Sequence, residues 1–175
     1  EQMQQERRVE AELYKEASKL LDDATSGHVD VVTMTTTQLL PLGSLQPTMV
    51  GVYADGRATE RYTLVVRGDS DSVTLAQLRN ALCLVHRLGE SDLPTLWLDV
   101  ELGRGGLEPA DRFLRLRSVD RPSQAVLPVF FGKADACVVT DRALETLFEL
   151  NPQLRQELRV LKSSAEILPT VSAFG

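Results

Sequence analysis

The sequence predicts an α/β fold, and three observations carry the prediction. β-branched or apolar runs of strand length alternate with helix-spaced segments along the chain. Two of the helix-spaced segments stop on a glycine, Gly27 and Gly132, just ahead of such a run. No linker and no low-complexity stretch interrupts the 175 residues, a length that suits one domain or two small lobes. The repeating order of strand and helix further implies largely parallel sheets.

The elements follow in order. Residues 1–8 read as a polar helix end, and RVEAELY (8–14) alternates Val9, Ala11 and Leu13 with charged residues, as a half-buried strand does. Residues 15–27 place Ala17, Leu20, Leu21 and Ala24 at helical spacing and close on Gly27. VDVVTM (29–34) is a buried strand, and TTTQLL then offers helix N-caps before Leu39 and Leu40. Residues 49–68 read as two strands joined by the turn dipeptide Asp55-Gly56, a hairpin. SDSVTLAQLRN (70–80) is a short capped helix, ALCLVH (81–86) a buried strand and RLGESDLP (87–94) a loop.

A helix over 95–106 ends on glycines, and RFLRLRSV (112–119) alternates as a strand. Residues 121–133 form a helix with Pro122 at its start and Gly132 at its end, kinked or shortened by Pro128. ADACVV (134–139) is a strand, residues 141–158 one or two helices broken near Pro152, and 159–174 closing strands.

The totals exclude some functions. A net charge of −6 and a pI near 5 argue against the basic footprint of non-specific nucleic-acid binding. No run approaches the ~20 apolar residues of a membrane span. No charged-then-apolar leader is visible, which fits either a cytosolic protein or a mature or trimmed chain. The two cysteines, Cys83 and Cys137, lack metal-type spacing and read as buried thiols; a disulfide between them requires neighbouring strands and an oxidising compartment.

One internal echo points to a site. Gly27 is followed by Asp30 and Thr35 at +3 and +8, and Gly132 by Asp135 and Thr140 at the same offsets. Each aspartate can accept from backbone donors of its turn. Each strand delivers its threonine to the carboxyl edge of a sheet, where the next helix offers unpaired N–H groups and the positive end of its dipole. Two such corners facing each other make a cleft; the bland alternative is that the threonines and Asp141 only cap helices.

Residues 121–170 carry a resemblance. The helix AVLPVFFGK, the strand ADACVVT, the helix ending ELNPQL and the closing VLKSSAEILP resemble the phosphate/phosphonate-type family of ABC-transporter solute-binding proteins. SGHVDVVTM and YTLVVRGDSDSVTLAQLRN fit the same family, so the resemblance spans residues 8–174. It implies the type 2 periplasmic-binding fold, in which two α/β lobes joined by two crossing strands hold a ligand between them. The crossings would fall near 61–67 and 168–174, giving a partial first lobe over 1–68, a second lobe over 69–167 and the second crossing over 168–175. Family members are longer, so the first lobe is expected to be incomplete.

By the same resemblance the chain is a periplasmic or extracytoplasmic component of an ABC transporter that binds a small anionic, phosphate- or phosphonate-like, or polar molecule. Its partners would be that ligand, a membrane permease and, through the incomplete lobe, a second copy. Thr35, Thr36, Thr37, Ser91, Thr95, Thr140 and Asp141 would line the cleft. The loop HRLGESDLPTLW keeps Ser91 and Thr95 but lacks the family's Ser/Thr-rich turn, and the first corner, TMTTTQLL, lacks its frequent aromatic residue. The alternative is a ligand-sensing domain of a signalling protein on the same fold.

No catalytic residue, cofactor or metal is expected. No GxSxG, HExxH or Cys/His pairing occurs, and His86 at a strand end is read as structural or ligand-contacting. Asp99 and Glu101, two apart on a helix, face different ways. Trp97 is read as packing, and Arg104-Gly105-Gly106 ends a helix instead of opening one as a phosphate loop does.

Overall fold

A computed structural model describes residues 10–14, 16–39, 47–54, 56–71, 74–87 and 91–174. Their strands form two sheets. β1 (Val31–Thr35), β8 (Thr170–Phe174) and β2 (Pro47–Met49) make a three-stranded antiparallel sheet in the order β1-β8-β2. β3 (Tyr62–Arg67), β4 (Leu82–His86), β5 (Arg115–Val119), β6 (Ala136–Thr140) and β7 (Leu158–Ser163) make a five-stranded mixed sheet in the order β5-β4-β6-β3-β7. The helices are α1 (Ala17–Thr25), α2 (Thr36–Leu39), α3 (Leu93–Arg104), α4 (Ala110–Phe113), α5 (Pro122–Phe130), α6 (Asp141–Leu150) and α7 (Pro152–Glu157), with a 3-10 turn at Leu75–Leu78.

The expected alternation holds, but the expected direction of the strands does not. Only β4 with β5 and β4 with β6 pair in parallel; β3 runs antiparallel to both β6 and β7, and the whole smaller sheet is antiparallel. The parallel pairs are those whose connections contain the helices α3, α4 and α5, long enough to carry the chain back across the sheet. A buried strand reads as an apolar run in either direction, so its sequence does not state its sense.

The central strands β4, β6 and β3 of the five-stranded sheet are buried on both faces, while the edge strands β5 and β7 are largely exposed. Leu64, Val66, Cys83, Val85 and Val138 pack with Leu98, Leu102 and Phe113 on one side. On the other, Val65, Leu84, Cys137 and Val139 pack with Val126, Val129, Leu144 and Leu154. Leu64, Val65 and Val66 are wholly inaccessible, which explains the unbroken apolar run of β3. The three-stranded sheet buries one face, with Val32, Met34, Val171 and Ala173 against Ala24 and Leu39.

This layering decides the cysteines. β4 and β6 are neighbours, but Cys83 lies in the core of one face and Cys137 in the core of the other, and both are free thiols. Side chains on opposite faces of a sheet cannot meet in a disulfide. Burial pushes the Cys83 thiol up to about 12 and raises Cys137 well above its ordinary value.

Four local expectations change. Residues 10–14 form no strand, and Leu13 stands 99% exposed; 1–9 lie outside the described residues. The turn before Arg57 exists, with Gly56 at φ +80° and its N–H on the Tyr53 carbonyl at 2.8 Å, while Asp55 lies outside the described residues. Its flanks do not form a hairpin: β2 joins the small sheet and β3 the large one. α3 begins at Leu93, two residues early, because Pro94 suits a first helical turn where its missing N–H costs nothing. The strand read over 112–119 starts at Arg115, since α4 takes Ala110–Phe113. α5 passes through Pro128 and ends two residues later, at Phe130.

The chain leaves the small sheet for the large one between β2 and β3 and returns between β7 and β8, so the stretches expected to cross, 61–67 and 168–174, lie largely in β3 and β8, each inside a sheet. The outgoing and returning segments pair where Glu60 and Ile167 exchange backbone hydrogen bonds of 2.9 and 2.8 Å. Arg61 also meets Glu166 at 3.2 Å and Thr59 donates to Glu166 at 3.0 Å.

Candidate functional site

Parallel pairing brings the carboxyl ends of β4, β5 and β6 to one edge of the large sheet, with His86 level with Val119. Each strand is followed by a helix whose amino end lies at that edge: α3 after β4, α5 after β5 and α6 after β6. A cavity of about 520 Å³ opens there. Pro94 reaches it from the start of α3, Arg121, Pro122 and Ser123 from α5, and Thr140, Arg142 and Ala143 from α6. Tyr53 and Glu60 close it from the connecting segment, and Tyr62 and His86 from the sheet.

This edge sets positive groups among the carboxylates of Glu60, Asp120 and Asp141. Helix amino ends carry partial positive charge, and Arg121 and Arg142 add two guanidinium groups. α5 and α3 both start without a side-chain cap, but the N-cap of α3 is Asp92 whereas that of α5 is basic, Arg121. The first turn of α5 holds no acidic residue. α6 is instead self-capped: the Ala143 N–H donates to Thr140 Oγ1 at 3.3 Å and the Arg142 N–H to Asp141 Oδ1 at 2.8 Å. Arg142 stacks its guanidinium 3.9 Å from the centre of the Tyr53 ring.

Glu60 is the carboxylate of the cavity, and it is already engaged. Tyr62 donates to it at 2.8 Å and Tyr53 at 3.2 Å. Burial, with Glu60 nearby, pushes the Tyr62 hydroxyl far above its ordinary value, so it stays a donor. Burial lowers His86 below the usual imidazole range, which keeps the ring neutral near pH 7.

The sequence-derived residues fall in three places. Thr140 lines the cavity. Asp141 stands beside it but turns to the connecting segment: its backbone N–H donates to the Arg61 carbonyl at 2.8 Å, its carboxylate accepts from the Arg61 N–H at 3.4 Å, and Arg57 lies 3.8 Å away. Ser91 is buried before α3, where Arg87 donates to its carbonyl at 3.1 Å, and Thr95 is half-buried on α3; neither lines the cavity. Thr35, Thr36 and Thr37 belong to the small sheet. Thr35 and Gln38 form a reciprocal cap of α2, the Gln38 N–H to Thr35 Oγ1 at 3.4 Å and the Thr35 N–H to Gln38 Oε1 at 3.1 Å. Thr35 also bonds Thr37 at 3.1 Å, and Thr36 donates to the Leu168 carbonyl.

The echo between the two corners is therefore real as local chemistry. Gly27 and Gly132 both take positive φ, +75° and +68°, and Thr35 and Thr140 both cap the helix that follows. The corners sit in different sheets, and the cavity is built beside the second. Asp135 does not close its own turn; it accepts the Leu82 N–H at 2.7 Å and so fastens the start of β4 to that of β6.

Arg121 and Ser123 were within reach of the same rule that found Thr140, since a strand ends just before them. Tyr53 and Glu60 carry no local signal. Asp99 and Glu101 serve structure: Asp99 accepts the Ala110 N–H at 2.6 Å, and buried Glu101 meets Arg104 at 2.5 Å and Lys162 at 3.1 Å. Trp97 packs 6.4 Å from Tyr62 between ring centres. Among the described residues no group of three or more His, Cys, Asp or Glu is placed to hold a metal ion.

The family model for the periplasmic substrate-binding protein of phosphonate ABC transporters matches residues 2–173. The chain belongs to this family. It is a family of transport proteins that bind small ligands and work with ABC permeases, not one of enzymes. No helix among the described residues is long and apolar enough to cross a membrane.

Comparison with curated proteins returns no relative. Among solved structures, a protein of Xanthomonas citri with ATP bound is 21% identical at a TM-score of 0.70, over 96% of this chain and 65% of its own. A putative periplasmic sulfonate-binding protein of Methylobacillus flagellatus is 16% identical at 0.61, over 88% of this chain and 44% of its own. The binding component of a phosphonate ABC transporter from Pseudomonas aeruginosa is 14% identical at 0.57, over 95% and 57%. These likenesses establish the type 2 periplasmic-binding fold. The chain spans less than two thirds of the length of each of these three structures and is part of a two-lobe architecture.

Proposed function

We propose that this chain holds a small anion, of phosphonate, phosphate or sulfonate type, as the extracytoplasmic binding component of an ABC transporter whose permease is its partner. The observation that carries the proposal is the carboxyl edge of the large sheet, where the open amino end of α5 meets Arg121, Arg142 and the start of α6. Helix amino ends and guanidinium groups bind oxyanions by charge and directed N–H donors without any chemistry. Family membership supports the same function.

In this proposal the second lobe, expected over 69–167, also takes in β3, the partial first lobe, expected over 1–68, keeps α1, β1, α2 and β2, and β8 of the return expected over 168–175 completes the first lobe's sheet. Closure of the first lobe over the cavity would bring Thr35, Thr36 and Thr37 toward a ligand seated at Thr140. The test is calorimetric titration of the chain with inorganic phosphate, methylphosphonate, phenylphosphonate and methanesulfonate. Saturable binding of at least one anion, weakened by R121A, is expected; no binding of any of them would refute the proposal.

A further inference from the structure

Size and lining of the cavity say more about the ligand than its charge does. Its volume, about 520 Å³, lies in the range of roughly 300–1,000 Å³ that suits drug-sized ligands. A bare oxyanion or methylphosphonate would fill a small part of it. Tyr53, Tyr62, Pro94, Pro122 and Leu147 give the lining apolar surface, opposite in character to Arg121. The tyrosine hydroxyls do not make this wall polar, because both donate to Glu60; of the two rings it is Tyr53, the less buried, that offers the contact surface. Glu60 thus orients two aromatic rings, and its carboxylate is occupied in doing so. The Tyr53 ring already bears the Arg142 guanidinium, so an aromatic surface and a cation are joined in one element of the wall.

We infer that the ligand is an organic anion: a phosphonyl, phosphoryl or sulfonyl group seated at Arg121 and the start of α5, carrying an aromatic or comparably apolar body that packs on Tyr53 and Leu147. The inference rests on the anion-binding function proposed above and adds the class of ligand. A bare oxyanion would leave this wall facing water and gain nothing from it, whereas an aryl group covers it. A single methylene in an apolar pocket changes affinity by about 10–200-fold, so exchanging methyl for phenyl has room for at least that effect.

The experiment is calorimetric titration of the chain with phosphate, methylphosphonate and phenylphosphonate at one pH and ionic strength. Phenylphosphonate is expected to bind at least ~10-fold tighter than methylphosphonate, with phosphate weakest. In Y53A, and independently in L147A, the preference should fall to about threefold or less, with an unchanged far-ultraviolet spectrum showing that the fold persists. Methylphosphonate binding as tightly as phenylphosphonate, or a preference untouched in both variants, would overturn the inference while leaving the anion site standing. No binding of any of the three overturns the anion site and the inference together.

Discussion

Asp141 distinguishes a ligand contact from a structural tie. In the structure its carboxylate accepts the Arg142 N–H at 2.8 Å and the Arg61 N–H at 3.4 Å, and faces Arg57 at 3.8 Å. D141A removes all three. A carboxylate in the first turn of a helix contributes about 0.3–1 kcal/mol. The long backbone bond to Arg61 contributes about 0.5–1 kcal/mol. The Arg57 pair, with a half-exposed guanidinium, adds at most about 0.5 kcal/mol. The expected loss is therefore about 1–2.5 kcal/mol, or a fall in Tm of about 3–8 °C for a chain of this size. D141N keeps an acceptor oxygen and should recover about half of that.

Thermal unfolding followed by circular dichroism gives the first number, and calorimetry with a phosphonate gives the second. Removal of a negative charge beside the cavity should leave anion affinity unchanged or higher. A Tm within ~1 °C of the parent, combined with a tenfold loss of affinity, would show that Asp141 belongs to the ligand and refute the structural reading.

Three further outcomes follow from the geometry. T140A removes the cap of α6 and should cost about 0.5–2 kcal/mol, measurable as a shift of the urea midpoint. Cys83 and Cys137 should resist a thiol-reactive dye in the native protein and both react after unfolding without reductant; no reactive thiol in the unfolded chain would restore the disulfide. Burial lowers the pKa of His86 in the folded state, so the unfolded chain takes up the proton first as pH falls. Its contribution to stability is thus complete above about pH 6.5 and is lost as pH drops through that value toward the folded pKa. H86N should flatten the pH dependence of the urea midpoint over that window.

The parts of this fold that local chemistry determines were legible in the sequence. β4, β6, α6 and α7 were readable because apolar runs, Thr140, Asn151 and Pro152 mark their ends by capping and by backbone limits. What depends on distant partners was not. The turn around Gly56 forms, yet a turn dipeptide fixes only its own backbone and not whether its flanks pair with each other. The alternation around Leu13 finds no neighbouring strand. The site divides along the same line. Thr140 and the start of α5 follow from a strand ending where a helix begins, whereas Tyr53 and Glu60 arrive from a segment that has no periodicity to read.

The exchange of hydrogen bonds between Glu60 and Ile167 is one of the ties between the outgoing and returning passages, and the side chain of that same Glu60 reaches the cavity wall. Tyr53, some residues earlier on the same passage, holds the other side. A molecule resting there would touch the passage that joins the two sheets as well as the large sheet itself.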